Sequence, residues 1–233
     1  MNGMKTRKND VIRSVILTCI MVVTLPVLYG QGTTFSTYYH QRQSLFEVLP
    51  VTEGAIVFVG NSITDGCEWS EFFPEFVVLN RGISGDISEG VLYRLPSIIE
   101  LKPTKVFLKI GTNDLARNIP AQTLFDNICL IIDQIREQSP ETEIFIQSIL
   151  PVNDAFGMFS GHTSRTPEIK WVNSQLQEWA ENRIKVTYID LFNHFRNEDN
   201  DLMNIKYTND GLHLTGEGYR LWVELLNPYI RRK

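Results

Sequence analysis

From about residue 51 onward, short apolar runs and longer amphipathic stretches take turns along this chain. The runs Ala55–Val59, Phe76–Leu79, Lys105–Ile110, Glu143–Ile149 and Lys185–Ile189 are nearly continuous rather than alternating. That pattern predicts parallel strands covered on both faces. The stretches after them have helical spacing. Ala121–Gln138 carries Leu124, Ile128, Ile131, Ile132 and Ile135 at three- and four-residue steps, and Pro167–Asn182 lines up Ile169, Val172, Leu176 and Trp179. Ile87–Leu101 and Thr215–Leu226 complete the set, and an earlier helix over Tyr38–Leu49 is expected to pack Tyr39, Phe46 and Leu49 on the body. Such stripes are core faces. Strand-helix alternation predicts an α/β domain, doubly wound around a parallel five-stranded sheet with helices on both faces. Ligand sites in such sheets lie outside the carboxyl ends of the strands.

The first 30 residues break the pattern. Lys5, Arg7, Lys8 and Arg13 precede an apolar stretch, Val15 to Tyr29, and Gly30-Gln31 offers a cleavage point. This is the arrangement of a secretory signal peptide. The stretch is short for a membrane span and contains Pro26, and Cys19 lacks the context of a lipid-attachment site. The expected organisation is therefore a signal peptide at 1–30, an N-terminal extension with a short helix at 31–50, and the α/β domain at 51–233. The expected location is periplasmic or secreted, with no stable membrane anchor after processing.

Charge then narrows the partners. The whole chain has 22 Lys+Arg against 27 Asp+Glu, and beyond residue 30 no basic block remains. That argues against nucleic acid. Cys67 and Cys129 match no metal-ligand spacing, and neither metal nor cofactor is expected. A bridge between them is open, with two free thiols the simpler expectation.

The expected strand ends hold the candidate chemistry. Gly60-Asn61-Ser62 follows the first, Asn80-Arg81-Gly82-Ile83-Ser84-Gly85-Asp86 the second, and Gly111-Thr112-Asn113-Asp114 the third; Asp210-Gly211-Leu212-His213 comes near the C-terminus. Separately, each has an ordinary explanation in turn and cap chemistry. Ser62 with Asp65 resembles a loose capping box. Together they supply what acyl transfer needs. A serine nucleophile requires a base within hydrogen-bond reach, here His213, and Asp210 three residues earlier can orient the imidazole. Gly85, Asn113 and the Ser62 N–H can donate to an oxyanion.

These segments also resemble a known family. GNSIT, ISGD, GTND and DGLH, in this order over Val59 to Tyr219, are similar to the four blocks of the SGNH hydrolases, also called GDSL-type esterases. The resemblance implies a flavodoxin-like fold, a catalytic serine at Ser62, oxyanion donors at Gly85 and Asn113, and an acid and base at Asp210 and His213. Asn61 departs from the acidic residue common before the serine. The implied activity is hydrolysis of short acyl esters, acetyl above all, on a small molecule or glycan, with a lean toward carbohydrate or sialate O-acetylesterases. A lipid acylhydrolase or thioesterase is the rival within the class, and a non-catalytic carbohydrate-binding module the rival outside it.

The remaining histidines carry less. His40 and His194 lack a serine or carboxylate context. His162 and Arg165 belong to a polar segment, Asn153–Thr166, long enough to overhang the site, although a solvated loop is the simpler expectation. Lys109 interrupts an apolar strand, and both a snorkelling stem and a buried ion pair with a nearby Asp are open.

Overall fold

The computed structural model describes residues 35–232; the expected signal peptide lies outside them. In chain order the elements are α1 (Thr37–Val48), β1 (Ile56–Gly60), α2 (Ser62–Asp65), α3 (Trp69–Phe72), β2 (Val78–Gly82), α4 (Ser88–Ile99), β3 (Lys105–Lys109) and α5 (Thr112–Ala116). Then follow α6 (Ala121–Gln138), β4 (Glu143–Gln147), a 3-10 turn (Asp154–Phe156), α7 (Ser160–Thr163), α8 (Thr166–Ala180), β5 (Val186–Ile189), α9 (Phe192–Phe195) and α10 (Gly216–Ile230). The five strands form one sheet, every pair parallel, in the order β2-β1-β3-β4-β5. This is the flavodoxin-like winding, and its switch point falls between β1 and β3.

Strand residues sort by face. Val57, Val59, Val106, Leu108, Ile144 and Ile146 point into a core closed by α4, α6 and α8. Ile56, Phe58, Phe107, Phe145 and Ile189 point to the other side, where α3 and α10 cover them. There Trp69, Phe58, Phe107 and Phe145 stack in a row, with ring centroids 3.8, 4.9 and 4.6 Å apart. Aromatic pairs contribute about 0.5–1.5 kcal/mol each beyond their buried area. The inner strands β1 and β3 are buried throughout, whereas the edge strands β2 and β5 are only partly so.

The expected second strand, Phe76–Leu79, is displaced toward the C-terminus. Pairing with β1 runs from Val78 to Gly82, so Asn80, Arg81 and Gly82 are strand and not loop. Asn80 hid this because its side chain does the work of a turn. Its Nδ2 is shared among the carbonyls of Thr64, Asp65 and Cys67, each 3.0 Å away, and its Oδ1 accepts from Gly82 N–H at 2.8 Å. β4 stops two residues short of the expected Ile149. α10 runs a turn beyond the expected Leu226 despite Pro228, because Ile230 is buried and Tyr229 packs against Phe145.

α1 docks on the body through Tyr39, whose hydroxyl donates to the Gly90 carbonyl at 2.7 Å, and through Phe46. The expected third contact, Leu49, is exposed: it is the residue that ends the helix, in extended conformation. Cys67 and Cys129 are free thiols, and burial raises the pKa of both, Cys129 to about 12. Among the described residues no helix is long and apolar enough to cross a membrane.

Candidate active site

β1, β2 and β3 all deliver a turn to the carboxyl edge of the sheet. After β1, the helix cap is Asn61 rather than Ser62: Asn61 Oδ1 accepts from Ile63 N–H at 3.1 Å. The sequence expectation that Ser62 caps and Asp65 completes a box is thus corrected. Asn61 supplies an oxygen where an acidic residue would, without the charge, and its own Nδ2 is buried with no partner. The physical consequence is that the Ser62 hydroxyl is not consumed by a cap. Close approach of this turn to β2 requires Gly82, where a Cβ would lie 2.3 Å from the Asp65 main-chain nitrogen.

The Ser62 hydroxyl meets His213 Nε2 at 3.1 Å, and His213 Nδ1 meets Asp210 Oδ2 at 2.7 Å. A carboxylate only accepts, so Nδ1 carries the hydrogen and Nε2 is left to accept from Ser62. Asp210 Oδ1 takes the N–H groups of Leu212 and His213 at 2.8 and 2.7 Å. Burial alone raises a carboxyl pKa, but these three donors outweigh it and hold Asp210 below the ordinary range. Asp210, Leu212 and His213 therefore form a closed clasp, with the carboxylate ionised.

Gly85 lies beyond β2 on a turn with φ +81°, which favours glycine, and it is exposed. Among the described residues, neither its N–H nor that of Ser62 meets an acceptor. Asn113 is in the first turn of α5 and nearly buried, its Nδ2 donating to the Asp86 carbonyl at 2.8 Å. Asp86 itself is buried in an ion pair with Arg94, 2.9 Å apart, and Arg94 also holds the Arg81 carbonyl at 2.8 Å. The loop that carries Gly85 is thus braced from beneath.

The structure adds residues to the set. His162, expected in a solvated loop, is half-buried and its Nε2 meets Asn113 Oδ1 at 3.0 Å. Phe159 lies edge-on to His213, centroids 5.2 Å apart. Arg117 donates to the Gly85 carbonyl at 2.8 Å. Gly85, Asn113, Ala116, Arg117, Phe159 and His162 border a cleft of about 570 Å³ beside the Ser62 and His213 pair. Arg165 instead pairs with Glu168 and Asn118. His40 packs on Phe35 and Tyr39, away from these groups. Nothing in the local sequence marks Phe159; the length of its segment was the sole signal. Lys109 is buried with its Nζ 5.3 Å from the centre of the Trp222 ring, so its stem does not snorkel. No carboxylate lies within ion-pair distance of it among the described residues, which removes the other option as well.

Fold and site together define an α/β protein with a serine, histidine and aspartate joined by hydrogen bonds at the carboxyl edge of a parallel sheet. Residues 58–221 match the model of the GDSL-like lipase/acylhydrolase family, and the chain belongs to that family. It is 28% identical over 173 residues to the platelet-activating factor acetylhydrolase IB subunit alpha2 of Rattus norvegicus, a match covering 72% of each chain. With the alpha1 subunit of Bos taurus it shares 30% identity over 105 residues, 42% of this chain and 44% of that one. A GDSL-like lipase from Bacteroides thetaiotaomicron superposes with a TM-score of 0.71 at 27% identity, over 82% of this chain and 96% of that structure.

Proposed function

We propose that this chain is a serine esterase that removes short acyl groups, acetyl foremost, through an acyl-enzyme. The observation that carries the reading is the continuous chain from Ser62 Oγ to His213 Nε2, and from His213 Nδ1 to Asp210. His213 takes the hydroxyl proton as Ser62 Oγ attacks the ester carbonyl. The N–H groups of Ser62 and Gly85 and one Nδ2–H of Asn113 receive the oxyanion. His213 then returns the proton to the departing alcohol, and a water repeats the sequence to release the acid.

Two things support an acetyl group: the cleft wall is formed by Phe159 and Ala116 close to the oxyanion donors, and the relatives from rat and cattle are named acetylhydrolases. For the alcohol, an O-acetylated carbohydrate or sialic acid remains our first choice, resting on the polar side chains around the cleft. A lipid ester is the second reading. Met158 and Phe159 are exposed beside the cleft, and an apolar alcohol or chain would cover them. We further propose export, on the basic and apolar pattern of residues 1–30.

The deciding experiment measures hydrolysis of nitrophenyl esters of increasing chain length by wild type and Ser62→Ala. Acetyl and propionyl esters should lead, and Ser62→Ala should be inactive. A steady climb in kcat/KM with acyl length selects the lipid reading, since each buried CH₂ adds roughly 0.8 kcal/mol. Undiminished turnover by Ser62→Ala rejects the mechanism.

A further inference from the structure

Asn113 is gripped at both ends of its amide. Nδ2 donates to the Asp86 carbonyl at 2.8 Å, and Oδ1 faces His162 Nε2 at 3.0 Å. An amide oxygen only accepts, so Nε2 of His162 carries a hydrogen. The terminal torsion of asparagine is broad and roughly two-fold, so the side chain alone does not choose between its two flips. The Asp86 carbonyl chooses. A flipped amide would set oxygen against the Asp86 carbonyl, two acceptors face to face, so Asp86 fixes the flip and with it the hydrogen on His162 Nε2. In the observed flip, one Nδ2 hydrogen is used by Asp86 and the second is left over.

His162 is well placed to reinforce this. It comes from α7, after β4, so it reaches Asn113 from a segment independent of the Asp86 loop. Phe159, on the same segment, lies edge-on to both imidazoles, 5.9 Å from His162 and 5.2 Å from His213. Burial first, then the charges of His213 and Arg117, lowers the pKa of His162. A neutral ring has one hydrogen, and here it is on the nitrogen that faces Asn113.

We propose that His162 is a positioning residue: its Nε2–H locks the Asn113 amide so that the second Nδ2–H stays aimed at the oxyanion. The inference rests on the esterase reading above. It differs from a proton-transfer role, because Nε2 is engaged by Asn113, and from a loop tether, because the contact fixes an amide rather than a backbone.

The test uses nitrophenyl acetate with wild type, Ser62→Ala, His162→Ala and His162→Gln. A glutamine amide nitrogen reaches about as far as Nε2 and can donate to the same oxygen. His162→Ala should lose about tenfold in kcat with KM nearly unchanged. His162→Gln should recover most of that loss and keep the wild-type pH profile, in which His213 remains the base and Arg117 the neighbouring cation. In an Asn113→Ala background, His162→Ala should cost little more, since both act on one interaction. If His162→Ala melts early, His162→Phe, which keeps the ring contact with Phe159 and loses the donor, carries the same expectation. Wild-type kcat in a folded His162→Ala or His162→Phe protein, or a His162→Gln protein as slow as these, overturns the proposal. Activity that survives in Ser62→Ala is a separate failure, that of the esterase reading.

Discussion

One carboxylate oxygen of Asp65 accepts both the N–H and the hydroxyl of Ser84, at 3.1 and 2.8 Å. Asp65 closes the turn that begins with Ser62, and Ser84 precedes Gly85. The turn that carries Ser62 and the loop that carries Gly85 are therefore tied by a pair of charge-assisted bonds. The same oxygen takes the Tyr38 hydroxyl at 2.9 Å, which draws α1 into the arrangement.

Asp65→Ala should accordingly slow turnover by about tenfold and lower the melting temperature, as expected when hydrogen bonds to a charged group worth roughly 1.5–3 kcal/mol are lost. Asp65→Asn keeps an acceptor and should fall between. Thermal melts and steady-state kinetics on both variants check this, and wild-type turnover in Asp65→Ala would separate Asp65 from the Gly85 loop.

Asn113→Ala should cost about 10²–10³ in kcat through loss of an oxyanion donor. The variant should also lose stability, because removing the amide leaves the buried Asp86 carbonyl unpaired at roughly 1–3 kcal/mol. Calorimetry beside kinetics should find both losses. A slow enzyme with unchanged melting would mean that the Asp86 bond contributes nothing.

Asp114 gives a pH test. It is buried against Ser88, and burial, opposed by the Ser88 hydrogen bonds, raises its pKa to about 6. The folded protein thus holds a proton that the unfolded chain has already released above its ordinary value of 3.8. The contribution to stability is fully present below about pH 4 and is lost as pH rises through about 6. Asp114→Asn should remove that dependence and gain up to roughly 3 kcal/mol at neutral pH. Denaturant titrations at pH 4, 5, 6 and 7 on both proteins measure it; parallel curves would place the titration elsewhere.

Lys109 runs the opposite way. Burial lowers its pKa to about 7 from an ordinary 10.5. Between these values the unfolded chain binds the extra proton, so the lysine penalises the fold below about pH 7 and progressively less up to 10.5. Lys109→Met, close in volume, should raise the melting temperature at pH 7, with the gain fading toward pH 10. An equal gain at both pH values would point to packing rather than charge.

How far the residues announce all this depends on range. The inner strands and the long helices α6 and α8 follow from periodicity, because burial on both faces or on one stripe dictates composition directly. β2 is less legible: Asn80 and Arg81 read as loop residues, and only their long-range partners make them strand. The positions of Ser62, Gly85, Asn113, Asp210 and His213 at the sheet's carboxyl edge follow from the alternation together with the four short blocks. The Asp65–Ser84 and His162–Asn113 bonds do not, since each joins segments whose approach depends on how two loops pack. Lys109 was visible as an anomaly without a partner, and its setting against Trp222 resolves it.

Ser62 and His213 are separated by 151 positions in the chain. All five strands and the segments that carry Ser62, Gly85 and Asn113 precede His213 in the chain. The Tyr219 hydroxyl, which bonds the Ile63 carbonyl at 3.0 Å, fastens the final helix to the turn that carries Ser62. On the esterase reading, activity waits for the last segment: α10, which also buries Trp222, Leu226 and Ile230 against the sheet, must seat before His213 can meet Ser62.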